Sequence, residues 1–163
     1  MLNGAVTLGT FDGANIEILD AAGEENNYRF GASVDTLNEL RPHYDPKAIY
    51  EHEPRVKRVV DTLVNGTFQD GGTGVFQSLY NSLVNGNSWQ KPDYYFVLYE
   101  LLPYIDRKLD AIYDTQDPLS FGRKALMNTA SAGYFSSDRT VLDYARDIWD
   151  LKPFPHQYTL NLF

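Results

Sequence analysis

The residue types with chemical potential are densest near the start of the chain, at Gly9-Thr10-Phe11-Asp12-Gly13-Ala14-Asn15. This segment follows the β-prone run Ala5–Leu8 and precedes a helix-prone stretch, with Asp12 or Thr10 placed to cap the helix. A strand passing through a glycine-bearing loop into a helix aims backbone N–H groups and the positive end of the helix dipole at the loop, where a polar or anionic ligand is received. Gly9-x-x-x-Gly13 is neither a GxGxxG fingerprint nor a phosphate loop, since no lysine follows it. By spacing alone, a tight strand-to-helix connection with no ligand satisfies the pattern. In such a turn Asp12 and Asn15 hold the backbone through side-chain hydrogen bonds, as support and not as reacting groups.

Other reactive residue types form no motif. His43, His52 and His156 lack metal-ligand spacing and read as surface or capping residues. No GxSxG elbow is present. Glu24 with Glu25, Asp35 with Glu39, and Glu51 with Glu53 are spaced like solvated faces. A two-carboxylate glycosidase pair meets only in space, so spacing leaves that chemistry open. Arg123, Lys124, Arg139 and Arg146 have the type for a phosphate clamp, but Asp138, Asp143 and Asp147 stand beside the last two and point to local ion pairs. Lys47, Lys57, Lys91, Lys108, Lys124 and Lys152 lie in polar or helix-surface contexts, without the desolvation a reactive amine needs. Asp70-Gly71-Gly72-Thr73-Gly74 reads as a flexible connection with Thr73 as N-cap. No catalytic, cofactor-binding or metal residue is assigned.

The composition bounds the class. The chain has 163 residues, 43% hydrophobic and 14% aromatic, enough for one domain with a core. A net charge of −8 argues against nucleic acid and anionic membrane surfaces as partners. No cysteine occurs, which excludes disulfides and thiolate metal sites. No apolar run reaches the length of about 18 residues that a membrane span needs, and no signal segment opens the chain.

The elements that position these residues are read as follows. A helix over Ala14–Ala22, stopped by Gly23, leads to a strand at Tyr28–Phe30, making a βαβ unit over residues 1–31. Beyond it, residues 32–155 are mainly helical. Ser33 or Asp35 caps a helix over Val34–Leu40. Pro54 opens a helix with Val56, Val59, Val60, Leu63 and Val64 on one face, ended by Gly66. Phe76, Leu79, Tyr80, Leu83 and Val84 mark the next. Tyr94–Leu98 reads as extended chain, with a helix from Pro103 carrying Ile105, Leu109 and Ile112; the alternative is one kinked helix from Phe96. Asp117-Pro118 starts a helix running to Ala130. Ser136 or Ser137 caps the last, with Val141, Leu142, Ala145, Ile148 and Trp149 as its buried stripe. Residues 156–163 are a tail.

The wording of three blocks carries further meaning. Asn3-Gly4-Ala5, Gly9-Thr10 and Asp12-Gly13-Ala14-Asn15-x-Glu17 form the first. Ala22-Gly23-Glu24-Glu25-Asn26 with Phe30-Gly31 forms the second. Phe135-Ser136-Ser137-Asp138-Arg139-Thr140 with Tyr144-Ala145-Arg146 and Ile148-Trp149 forms the third. Together they resemble the α-glucan phosphorylases, the glycogen, starch and maltodextrin phosphorylase family.

The resemblance implies an α/β fold, the C-terminal part of a Rossmann-like GT-B domain: a short βαβ start and a mostly helical remainder, over residues 1–155. It implies transfer of a glucosyl unit from an α-1,4-glucan to phosphate, giving glucose 1-phosphate, with pyridoxal phosphate as cofactor in the intact enzyme. The family's cofactor lysine stands just upstream of its Met-Leu-Asn-Gly sequence. The expectation is therefore a cytoplasmic C-terminal fragment, inactive alone, holding no cofactor, and partnered by the N-terminal part of the same enzyme. Asn3, Gly9, Thr10, Asp12, Gly13 and Asn15 would support the cleft. The reading from a different class is a non-catalytic helical interaction or assembly module, or a gene remnant.

Overall fold

The opening segment folds as a β-α-β unit in the computed structural model, which describes residues 1–152; the expected tail over 156–163 lies outside the described residues. Strand β1 (Leu8–Thr10) leads to helix α1 (Ala14–Ala22), a short 3-10 turn at Glu24–Asn26 and strand β2 (Tyr28–Phe30). The strands are parallel, with Leu8 opposite Tyr28, Gly9 opposite Arg29 and Thr10 opposite Phe30. Parallel neighbours need a crossover, and α1 supplies it.

The first strand is displaced toward its carboxyl end relative to the expected Ala5–Leu8. Gly4, at φ 73°, closes a turn whose N–H returns to the Met1 carbonyl. Pairing begins only where β2 offers partners. Tyr28 N–H donates to the Thr7 carbonyl at 2.8 Å, and Thr7 N–H donates to Asn27 Oδ1 at 2.9 Å. Gly23 ends α1 as expected, at φ 89° with its N–H on the Leu19 carbonyl.

The remainder is helical: α2 (Val34–Leu40), α3 (Pro46–His52), α4 (Pro54–Asp61), α5 (Val75–Val84), α6 (Val97–Asp114), α7 (Pro118–Ala130), a 3-10 turn at Ser131–Phe135, and α8 (Ser137–Asp147). Local chemistry explains most of the starts. Ser33 caps α2 and Ser136 caps α8, each accepting a backbone N–H from the first turn. Asp117 accepts from Leu119 and Ser120, with Pro118 already at helical φ. Asp45-Pro46 repeats that device and starts α3, a helix absent from the sequence reading.

Four expectations are corrected. Helix α4 stops at Asp61 and not at Gly66, because Thr62 and Leu63 donate to carbonyls three residues back and tighten the chain into turns. Val64 is thereby left 42% exposed. Thr73 does not cap α5; Gly74, at φ 75°, takes that position, and the Asp70 carboxylate accepts from Gly72 and Phe76. Tyr94–Leu98 does not run as extended chain into a separate helix; the alternative of a single helix from Phe96 is what forms, with Phe96 at the N-cap and α6 continuous from Val97 through Pro103. Tyr99 and Pro103 face solvent, so water can serve the carbonyl that the proline leaves without a donor. The stripe on α8 is not buried. Val141, Leu142, Ile148 and Trp149 are all more than half exposed, because no other described element lies over that face.

The core sits among α3, α4, α5 and α6. Val56, Val60, Val84 and Leu98 are buried, walled by Ile49, Tyr50, Tyr80, Leu83, Leu101 and Leu102. Each such aliphatic burial contributes about 1.5–3 kcal/mol. The βαβ unit is fastened to the helices largely by polar contacts. Tyr28 Oη donates to Asp114 at 2.7 Å, Arg107 to the Arg29 carbonyl at 3.1 Å, and buried Asn128 to the Asn26 carbonyl at 2.9 Å. Phe30 and Tyr104 add an edge-to-face aromatic pair at 5.3 Å.

Candidate functional site

Residues leaving the carboxyl ends of both strands open onto one cleft of about 280 Å³. Thr10 ends β1 and Phe11 and Asp12 follow it, while Ala32, Val34 and Leu37 follow β2. Arg41, Tyr94, Tyr95, Phe96 and Glu100 close the other side. A crevice outside the carboxyl ends of parallel strands is where open α/β proteins place ligands.

The β1–α1 loop is built by mutual fit. Asn15 Nδ2 donates to the Thr10 carbonyl at 3.0 Å, and Thr10 Oγ1 donates to Asp12 Oδ1 at 3.1 Å. The Asn15 amide lies flat over Gly9: a Cβ there would stand 2.6 Å from Nδ2. Gly13 takes φ 48° and ψ −137°, a backbone conformation open to glycine and costly for other residues. Gly13 itself occupies the N-cap position of α1, which receives no side-chain cap. This corrects the expected capping by Asp12 or Thr10, whose side chains are turned toward each other.

Glu100 is the inward acid of the cleft. Its Oε1 accepts the Ala32 N–H at 3.0 Å and approaches Gly31, where a Cβ would meet that oxygen at 2.6 Å. Burial pushes the Glu100 carboxyl above its ordinary value, and the charges of Asp12 and Asp93 push the same way; the Ala32 N–H opposes them. Arg41 forms the rim. Its guanidinium lies 5.0 Å from the Tyr94 ring and 4.7 Å from the Phe96 ring, and donates to the Tyr94 carbonyl at 3.3 Å.

Asp93 anchors the far wall. It is 2% exposed, and its carboxylate accepts from Val97 N–H at 2.8 Å, Leu98 N–H at 2.7 Å and Tyr44 Oη at 2.6 Å. The negative charge therefore sits at the positive end of α6, satisfied on every side. Burial, then the bond to Asp93, holds the Tyr44 hydroxyl well above the ordinary tyrosine range.

Of the six residues expected to support a cleft, Gly9 and Thr10 end β1, Asp12 and Gly13 form the loop after it and Asn15 lies in the first turn of α1, so five gather at this one strand-to-helix connection. Asn3 does not. It is exposed in the first turn, beside Gly4, which packs near Ala125 and Thr129 of α7. Sequence reading passed over Arg41, Asp93 and Glu100. Glu100 had a usable signal, being the one charge in the apolar run from Val97 to Leu102. Asp93 had none, because it caps α6 from four residues upstream through a left-handed turn (φ 43°).

His52, Arg139 and Arg146 stay local, whereas Lys124 reaches the Glu25 carbonyl and Asp114. His52 Nδ1 lies 2.8 Å from the Ala48 carbonyl oxygen. Arg139 pairs with Asp143 at 2.9 Å, and Arg146 with Asp143 and Asp147 at 2.9 and 2.6 Å. Among the described residues no group of three or more His, Cys, Asp or Glu side chains could hold a metal ion, and no helix is long and apolar enough to cross a membrane.

Fold and crevice thus define a mostly helical α/β protein whose parallel strand pair opens onto a crevice. Comparison with known sequences adds the family. The carbohydrate phosphorylase family model matches residues 1–151. The chain is 39% identical over 155 residues to glycogen phosphorylase of Bacillus subtilis, covering 94% of this chain and 19% of that protein. It is 37% identical to that of Pasteurella multocida, over 93% of this chain and 18% of the relative, and 36% identical to the human brain form, over 94% and 18%. The chain belongs to the carbohydrate phosphorylase family, and it spans about a fifth of the length of these relatives.

Proposed function

We propose that this chain is the C-terminal part of an α-glucan phosphorylase, with a GT-B arrangement in the intact enzyme, and that its strand-end crevice forms part of one wall of the catalytic cleft. The intact enzyme would pass a glucosyl unit from the non-reducing end of an α-1,4-glucan to phosphate, giving glucose 1-phosphate, in the cytoplasm. One observation carries this reading: the family's Asp12-Gly13-Ala14-Asn15 wording lands on the loop at the crevice, and that loop is interlocked by hydrogen bonds. In this reading Asp12 and Asn15 shape the cleft and do not react.

Pyridoxal phosphate, the cofactor the family implies, does not fit the described residues. No lysine lines the crevice. Lys124, with a side chain only 19% exposed, donates its ammonium to the Glu25 carbonyl at 2.5 Å and pairs with Asp114 at 3.6 Å. No step is assigned to the cofactor in this chain, and the chain alone is proposed to be inactive.

The second reading, a non-catalytic assembly module, draws on the apolar faces left open on α7 and α8, where Leu119, Leu126, Val141 and Ile148 are more than half exposed. One experiment separates them. The chain is mixed with the separately produced upstream part of a glycogen phosphorylase, and glucose 1-phosphate is measured from maltodextrin and phosphate. The first reading expects turnover on mixing, and neither turnover nor a Schiff-base absorbance from the chain with pyridoxal phosphate alone. A stable complex without turnover supports the module instead. Turnover by the lone chain overturns its proposed inactivity.

A further inference from the structure

An asparagine followed by glycine exposes its side-chain amide to attack by the next backbone nitrogen, because glycine has no Cβ to shield that nitrogen. The chain holds three such steps, Asn3-Gly4, Asn65-Gly66 and Asn85-Gly86, and the fold treats them differently. Gly4 N–H donates to the Met1 carbonyl at 2.8 Å. Gly86 N–H donates to the Asn81 carbonyl at 2.7 Å, and Asn85 Nδ2 is held on Asn81 Oδ1 at 2.9 Å. A nitrogen whose proton is committed to a carbonyl must break that bond before it reacts. At both steps the nucleophile is tied back.

Asn65-Gly66 lies on the exposed turn between α4 and α5. Among the described residues Gly66 N–H has no hydrogen-bond partner, and nothing stands within 4 Å of the position a Cβ would take. The Asn65 side chain folds forward across this nitrogen: its Oδ1 accepts from Thr67 N–H at 3.0 Å and from Thr67 Oγ1 at 2.6 Å. Two donors on that oxygen draw electron density from Cγ and stabilise the oxyanion that develops when Cγ is attacked. An unbonded nucleophile, an open approach and a polarised carbonyl coincide at this step and at neither of the other two.

We propose that Asn65 is a site of intramolecular deamidation in the folded chain. The Gly66 nitrogen gives its proton to solvent and bonds to Asn65 Cγ. The Cγ–Nδ2 bond breaks, and Nδ2 takes a proton from solvent and departs as ammonia, leaving a cyclic imide. Water then adds to either imide carbonyl and the ring C–N bond breaks. An aspartyl or isoaspartyl residue remains at position 65, with a carboxylate where the amide stood.

The native chain is incubated in mildly alkaline buffer and its peptides are followed by mass spectrometry. Conversion at Asn65 should outrun that at Asn3 and Asn85 by about tenfold or more. In strong urea the three rates should converge, because the bonds that protect two steps and activate the third are lost together. Thr67→Val keeps the backbone N–H and removes the hydroxyl donor, so it should slow conversion at Asn65 several-fold in the folded chain. Its circular dichroism should match that of the native chain, since Thr67 is exposed. Equal rates at the three steps in the folded chain, a preference for Asn65 undiminished in urea, or a native rate in Thr67→Val each overturns the proposal.

Discussion

Two residue pairs at the crevice test whether close fit or charge sets its stability. Asn15 lies over Gly9 closely enough that any Cβ at residue 9 collides with its amide. Gly9→Ala should therefore cost about 1–3 kcal/mol in urea unfolding. Adding Asn15→Ala should recover part of that loss, a coupling a double-mutant cycle detects; strict additivity would show that the collision is not the cause. Glu100 offers a pH test. Its folded-state carboxyl titrates above the unfolded value, chiefly through burial, so the folded chain holds the proton more tightly. The stability contribution is thus fully present below the ordinary glutamate value and is lost as pH rises through the raised folded one. Glu100→Gln keeps an acceptor for the Ala32 N–H and removes the titration. It should flatten stability against pH and match or exceed the native chain at pH 7, whereas Glu100→Ala, which leaves that N–H without its partner, should be less stable at every pH.

At the scale of elements, α6 organises the molecule. Its first turn is held by Asp93 and carries Leu98 into the core, and its last turn takes the Tyr28 hydroxyl on Asp114. Asp93→Ala should cost about 2–4 kcal/mol, since two helix N–H groups and a tyrosine hydroxyl lose a buried acceptor together. Tyr44→Phe, which removes one donor, should cost about 1 kcal/mol. Urea midpoints of the two variants rank them, and the reverse order would show that the tyrosine, not the carboxylate, anchors the turn. The start of α7 was legible because its Asp-Pro signal is local. Helix α3 carries the same signal at Asp45-Pro46 and was readable on the same ground. A start of α6 at Phe96 was one of two readings the sequence offered; its capping by Asp93 was not legible, because it acts through tertiary burial and a left-handed turn at Asp93 and Phe96 (φ 43° and 59°).

At the scale of the whole molecule, the chain exposes more apolar surface than its core explains. On α8 and just after it, Leu142, Ile148, Trp149 and Leu151 are 51–65% exposed. Such a face drives association when nothing covers it. The chain should sediment as concentration-dependent oligomers, and Leu142→Gln with Ile148→Gln should shift it toward monomer while changing unfolding free energy by no more than about 0.5 kcal/mol. An unchanged sedimentation profile would show that this face is not sticky. A stripe at helical spacing told the sequence reader that α8 has a side to cover. It did not tell what covers it, because burial depends on neighbours that no periodicity encodes.

The sequence by itself determined the βαβ opening, the bounds of α1, α2 and α7, and the family. These depend on short-range signals: an Asp-Pro or Ser cap, a glycine at positive φ, and shared wording at fixed positions. Only the tertiary structure decided that Glu100 and Arg41 share a crevice with Asp12, that Asp93 is buried beneath its far wall, that Asn3 lies away from it, and that the apolar face of α8 is left open. Those facts join residues up to about ninety positions apart, and their cause is packing between elements, which local sequence does not specify.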